Sequence, residues 1–201
     1  MIRLRKLVGL TGKTGAGKST VSAYLREKGA YIIDGDIVAR KVFVEDETLI
    51  SKLTDAFGNI LNDDKTLDRA LLAKKAFSSS ENTKILNSIM HPAINKLIED
   101  ETEKAFEAYN VVIVDAAAII ESGFADKCDK LVVVTAPLET RKNRIMARDS
   151  ITEENAIIRI NGQKDDKFYL SRADYIIDND GDEDKLNSQL KTLEKEIFAL
   201  E

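Results

Sequence analysis

The eight residues Gly12-Lys13-Thr14-Gly15-Ala16-Gly17-Lys18-Ser19 satisfy the pattern G-x-x-x-x-G-K-[ST] in full. Glycines at 12, 15 and 17 allow the chain to turn so that successive backbone N–H groups face inward. Together with the N-terminus of a following helix, such groups surround phosphate oxygens. Lys18 then reaches the β- and γ-phosphates of a nucleoside triphosphate, and Ser19 offers its hydroxyl to Mg²⁺. The loop implies binding of a triphosphate. It does not by itself separate a phosphotransferase from a nucleotide-driven switch.

Two carboxylates one residue apart, Asp34 and Asp36, follow the apolar run Tyr31-Ile32-Ile33. They read in two ways. Asp36 caps a helix through its side chain while Gly35 eases the turn, or one of the pair takes a proton from a substrate hydroxyl. A third acid, Asp115, ends the run Val111-Val112-Ile113-Val114, a position that brings a carboxylate near the metal in triphosphate-binding proteins. Cations gather in "TRKNRIMARD", where Arg144 and Arg148 are four apart and so share a helix face, with Arg141 three before Arg144. A cationic helix closing over phosphates would stabilise the charge in transfer and exclude water. No guanine-reading Asn-Lys-x-Asp follows the run that ends at Thr135, and Asp178-Asn179-Asp180-Gly181, with Asp-x-x-Gly spacing, comes after the last strand. A guanine-dependent switch is therefore not expected, and phosphoryl transfer is favoured.

Positioning these groups requires a scaffold, and the hydrophobic pattern supplies one. Short β-branched runs recur at residues 7–11, 30–34, 111–115, 130–135 and 174–178, mostly apolar on consecutive residues. That pattern fits strands buried on both faces of a parallel sheet. Between them lie stretches of helical spacing such as "STVSAYLREKG", where Val21 and Leu25 lie on a stripe closed by Gly29. Strand and helix alternate, which predicts a three-layer α/β fold with a five-stranded parallel sheet and right-handed crossovers. The sheet and its helices take about residues 1–36, 109–137 and 173–201. A helical insertion spans about 37–108 and contains "DETLISKLTDAFG", "TLDRALLAKKAF" and "HPAINKLIEDETEKAFEAY"; a second, basic one spans about 138–172. All of this belongs to one domain of 201 residues.

Composition narrows the functional classes. Hydrophobic content of 43% with 32% charged residues describes a globular chain. A net charge of −5 argues against a general nucleic-acid binder but leaves small anions open, because a few local cations and N–H groups hold them. Cys128 is the only cysteine, so neither an intrachain disulfide nor a multi-cysteine zinc site can form. The longest apolar run, near "VVIVDAAAII", falls well short of the roughly 20 residues a membrane helix needs. The first residues lack a signal-peptide apolar stretch, so a cytoplasmic location is expected.

The ordered series "GLTGKTGAGKSTV", "IIDGDIVAR", "LDRALLAKKAF", "MHPAI", "DAAAIIESG", "RIMARD", "RINGQ" and "ADYIIDNDG" resembles the dephospho-CoA kinases over nearly the whole chain. These are P-loop kinases of the nucleoside-monophosphate-kinase type. The resemblance implies transfer of the ATP γ-phosphate to the ribose 3′-hydroxyl of dephospho-CoA, the last step of CoA synthesis, with Mg²⁺ as cofactor. It also implies that residues 37–108 bind the acceptor and residues 138–172 form a lid. On the same basis Gly12, Lys13, Thr14, Gly15, Ala16, Gly17, Lys18, Ser19 and Thr20 hold ATP, with Arg148 from the lid and Asn179 and Gly181 near the adenine. Asp36 is implied as general base, with Lys18 and Arg144 as catalytic cations and Ser19 at the metal. Asp34, Asp36, Arg69, His91, Ala117 and Glu121 fall on the acceptor side.

Two departures stand out. Lys13 replaces a common glycine, adding a cation beside the phosphates that is tolerated if its backbone angles are ordinary. Ala117-Ala118-Ile119 replaces the usual Pro-Leu-Leu at the acceptor cleft. From the residues alone, Pro92 suits the first turn of a helix with His91 just before it, and Arg69 is equally a surface partner for Asp68 or Asp64. A related kinase acting on a nucleoside monophosphate or another small hydroxyl metabolite, or a non-catalytic nucleotide-binding module, remains open. The sequence does not fix an oligomeric state; a monomer or weak homo-oligomer is expected, without nucleic-acid or membrane partners.

Overall fold

The computed structural model describes residues 5–199. Five strands form one all-parallel sheet: β1 (Lys6–Gly12), β2 (Tyr31–Asp34), β3 (Val111–Asp115), β4 (Lys130–Thr135) and β5 (Tyr175–Asp178), in spatial order β2-β3-β1-β4-β5. Each lies within one residue of its expected bounds. The reason is visible in burial: Val111, Val112, Ile113 and Val114 are buried in succession, as are Leu131, Val132, Val133 and Val134. Consecutive burial is what a strand covered on both faces requires.

One face of the sheet carries α1 (Lys18–Glu27) and α9 (Glu183–Phe198). Val21 and Leu25 of α1 join Leu186, Leu190, Leu193 and Ile197 of α9 in a cluster with Val8, Leu10, Val132 and Ile177. The alternating spacing of four and three in α9 is the stripe that a helix needs to bury one side. Gly29, with φ of +100°, ends α1 as expected. On the opposite face the segment after β3 lies close against β1, and a side chain at Gly9 would meet Ile119 at 2.9 Å and Cys128 at 3.3 Å. Burial and the nearby Asp129 and Asp126 charges push the Cys128 thiol up to about 12, so it is an inert thiol.

The chain divides into two compact units, one formed by the segments up to Asp34 and from Thr102 onward, the other by Gly35–Glu101. The second unit is helical, with α2 (Gly35–Glu45), α3 (Glu47–Phe57), α4 (Arg69–Ala76) and most of α5 (Ser80–Ala105). Asp46 and Asp68 cap α3 and α4 by accepting from the N–H groups of Thr48 and Leu71, both at 2.9 Å. Val42, Leu49, Leu53, Ile60, Leu72 and Ala76 form its core, flanked by Leu86, Ile89, Met90, Ala93, Ile94 and Leu97 of α5.

Three local expectations are corrected. The helix carrying His91 and Pro92 begins at Ser80, so Pro92 sits inside it rather than in its first turn. Proline costs a helix one hydrogen bond and some bending, but here Ile89 and Met90 before it and Ala93 and Ile94 after it pack on the same core. Asp36 lies within the first turn of α2, which already starts at Gly35, so it is not the capping residue. Arg69 pairs with neither Asp68 nor Asp64. Its guanidinium lies 5.0 Å from the Phe43 ring centre and donates to the Arg40 carbonyl, while Asp64 accepts from Thr66.

Candidate active site

The sheet register collects the chemistry at one edge. Asp34 is the register partner of Asp115, Asp115 that of Leu10, and Gly12 that of Val134, so the phosphate loop leaves β1 beside both acids. Open α/β sheets bind ligands at this carboxyl edge. Gly12 starts the loop with φ of +151°, and an added Cβ would lie 2.2 Å from the Val134 carbonyl oxygen. Gly12→Ala is therefore expected to destabilise the fold by about 2–4 kcal/mol in urea unfolding, because main chain must move. Gly162, where a Cβ would have nothing nearer than 3.5 Å, provides the tolerated control. A Gly12→Ala loss below about 0.5 kcal/mol would contradict this packing.

At Gly15 (φ +78°) and Gly17 (φ +97°) the same geometry recurs, with an added Cβ 2.6 Å from the Arg141 carbonyl oxygen and 2.1 Å from Asn179 Nδ2. Ala16 between them is fully buried. Lys13 adopts an ordinary negative φ, as its tolerance required. Gly17 precedes α1 without a side-chain cap, and its carbonyl accepts from the Thr20 N–H at 3.1 Å in the first turn of that helix.

The loop is held from its carbonyl side. Arg144 Nη1 donates to the carbonyls of Gly15 and Ala16, both at 3.3 Å, and of Asn179 at 3.2 Å; Nη2 donates to Asn179 Oδ1 at 3.2 Å. Asn179 Nδ2 adds a bond to the Ala16 carbonyl at 2.9 Å, and its own N–H is fixed on the Thr135 carbonyl at 2.8 Å. Gly181, with φ of +107°, turns the chain just beyond. Two of the loop carbonyls are held on this side, while the Ala16 N–H closes a turn on the Lys13 carbonyl at 3.0 Å. Arg144 and Asn179 thus touch the loop itself.

The basic segment splits into α6 (Leu138–Asp149), α7 (Glu153–Asn161) and α8 (Asp166–Leu170). Its arginines have different fates. Arg141 is buried, its Nε donating to the Ala136 carbonyl at 3.1 Å. Arg148 instead turns outward to Asp149, with bonds of 2.8 and 2.9 Å, and Arg159 joins the same carboxylate. The Arg148 hydrogen bond, opposed in part by burial and helped by both positive charges, holds the Asp149 carboxyl down at about 2. Arg148, expected over the nucleotide, is thus committed to a neighbouring acid.

Sequence reasoning did not single out Gln163 and Asp166. Lys13 Nζ pairs with Asp166 at 2.8 Å, and the Thr14 N–H donates to Gln163 Oε1 at 2.8 Å. Glu121 accepts from the Tyr169 hydroxyl at 3.2 Å, and burial raises that phenol further. Ala117 is exposed, and its carbonyl accepts from the buried Thr11 hydroxyl at 3.2 Å. Lys18, Ser19, Thr20, Asp34, Ala117 and Glu121 belong to the first unit, whereas Asp36, Arg69 and His91 belong to the second.

Comparison with known proteins gives a consistent result. A family model described as dephospho-CoA kinase matches residues 6–185. A dephospho-CoA kinase of Corynebacterium jeikeium is 40% identical over 91% of this chain and 95% of its own. Among solved structures, the Thermus thermophilus protein TT1252 superposes with a TM-score of 0.81 at 30% identity, covering 96% of this chain and 98% of its own. A dephospho-CoA kinase from Campylobacter jejuni gives a TM-score of 0.60 at 26% identity with the same coverage, 96% and 98%.

Proposed function

The chain belongs to the dephospho-CoA kinase family, and from that premise we propose how its own residues carry out transfer of the ATP γ-phosphate to the ribose 3′-hydroxyl of dephospho-CoA. The observation that carries the reading is the phosphate loop at the carboxyl edge of β1, with its Gly15 and Ala16 carbonyls held by Arg144 and Asn179 and its glycines at positive φ.

In this reading Gly12 to Thr20 hold the triphosphate, and Lys18 neutralises charge on the β- and γ-phosphates. Arg144 acts by fixing the loop. Asn179 and Gly181 lie on the adenine side, and Arg148 comes to the nucleotide by leaving Asp149. The donor set suits Mg²⁺: the Ser19 hydroxyl on the loop, with the carboxylates of Asp34 and Asp115 side by side at the ends of β2 and β3. Among the described residues no cluster of three or more His, Cys, Asp or Glu side chains could cage a metal. Mg²⁺ characteristically keeps waters and substrate phosphates among its ligands beside a few protein oxygens. When bound, Mg²⁺ would neutralise charge on the phosphate oxygens.

Asp36 is the general base that takes the proton of the 3′-hydroxyl. Arg69 and His91, also in the helical unit, bind the acceptor; Ala117 and Glu121 bind it from the segment after β3. Residues 37–108 are the acceptor-binding region and 138–172 the lid. Use of ATP as donor supports a cytoplasmic site of action, and no described helix is long and apolar enough to cross a membrane. A coupled assay of ADP release with dephospho-CoA, AMP, CMP and shikimate tests the reading. Release that depends on dephospho-CoA is expected. Release with another acceptor alone, or with none of them, would reject it.

A further inference from the structure

Lys13 looks by position like one more phosphate ligand, yet its surroundings give it another task. Its side chain is 13% exposed, and its Nζ is held by Asp166 in the first turn of α8. The next residue, Thr14, gives its backbone N–H to Gln163, just beyond the end of α7 at Asn161. Two consecutive loop residues are therefore gripped by two side chains on either side of Lys164-Asp165. Asp165 is occupied elsewhere, capping α8 by accepting from the Phe168 N–H at 2.8 Å. These contacts bear on the first residues of the loop, whereas Arg144 and Asn179 fix its Gly15-Ala16 stretch.

We propose that Lys13, Gln163 and Asp166 form a clasp that ties the α7–α8 turn to the phosphate loop, and that Lys13 is a positioning residue for nucleotide rather than a phosphate ligand. A lysine already paired with a carboxylate adds little net charge to the loop. Its contribution is to hold the loop entrance and the α7–α8 turn in one arrangement, so that nucleotide meets a preformed site. The pair is half open to water, since Asp166 is 61% exposed, so each contact is modest and the effect lies in local order. The nucleotide half of this proposal rests on the function proposed above.

The two roles of Lys13 predict opposite signs for its partner. As a phosphate ligand, Lys13 would be released by Asp166→Asn, and nucleotide would bind more tightly. As part of a clasp, Lys13→Met and Asp166→Asn each weaken ADP binding by about three- to tenfold. The double variant then loses no more than either single one, because the same contact is removed. The KM for ATP rises in step while kcat changes less, and Lys13→Arg restores most of the affinity.

Calorimetric titration with ADP, steady-state kinetics and trypsin cleavage after Lys164 and Lys167 without nucleotide read these effects. Faster cleavage in Lys13→Met and Asp166→Asn supports the clasp independently of any ligand, and unchanged cleavage in both overturns it. Tighter ADP binding in Asp166→Asn, or additive losses in the double variant, also overturns it. Wild-type protein that fails to bind ADP overturns the nucleotide half together with the reading of the loop on which it rests.

Discussion

Arg144→Met is expected to lower kcat/KM for ATP by about 10²-fold and to weaken ADP binding in parallel. The guanidinium makes four contacts, three to the carbonyls of Gly15, Ala16 and Asn179 and one to the Asn179 side chain. Hydrogen bonds from a charged donor contribute about 1.5–3 kcal/mol each, and removing the donor leaves partly buried acceptors without it. They are not additive, so a loss of about 3 kcal/mol in loop order is a fair total, which corresponds to about 10²-fold. Lysine cannot replace the fork: one ammonium does not span the loop carbonyls and Asn179 together, so Arg144→Lys is expected to recover only a small part. Asn179→Ala should move in the same direction by a smaller amount, because Arg144 keeps its bonds to the loop. Steady-state kinetics and ADP titration measure both. Near-normal kcat/KM in Arg144→Met would show that the loop keeps its shape without this support.

The parts of this molecule that were legible in sequence are those whose signal is local. Strands β3 and β4 announced themselves because burial on both faces demands apolar, β-branched residues in succession. The phosphate loop was legible because Gly12, Gly15 and Gly17 all carry positive φ, a backbone demand that glycine meets at the position itself. Where the deciding partner is distant, the sequence was silent. Spacing alone relates Arg141, Arg144 and Arg148 on one helix, but it does not say which of them faces the loop. Tertiary packing buries the first, points the second at the loop carbonyls and leaves the third to Asp149.

Asp165 and Asp166 make the same point. They are adjacent acids in "QKDDKF", yet one caps a helix and the other meets Lys13 from the far end of the chain. Pro92 is a local signal that tertiary contacts overrode, because the core formed with α5 on both sides of the proline outweighs the missing hydrogen bond. At Lys13 the spacing shows a cation in the loop, and its pairing with Asp166 depends on a residue far along the chain.

Asp36→Asn is expected to lower kcat by about 10²-fold or more while ADP binding stays close to wild type. The substitution keeps the size of the side chain and removes only its capacity to accept a proton. Nucleotide affinity should survive because every loop contact described above is made within the first unit, whereas Asp36 stands in the first turn of α2 in the second. Its neighbour Asp34 offers the needed contrast. Asp34 ends β2 in register with Asp115, so its removal should be felt in the Mg²⁺ concentration required for turnover rather than in kcat at saturating metal. A hydroxyl is a weak acid, and a carboxylate contributes mainly by orienting it and receiving its proton as the phosphorus–oxygen bond forms, so positioning accounts for most of the remaining rate enhancement. Residual activity in Asp36→Asn is therefore expected, and it should not be recovered by raising either substrate. Turnover within a few-fold of wild type in Asp36→Asn would move the base elsewhere; a loss that saturating Mg²⁺ repairs would assign Asp36 to the metal instead.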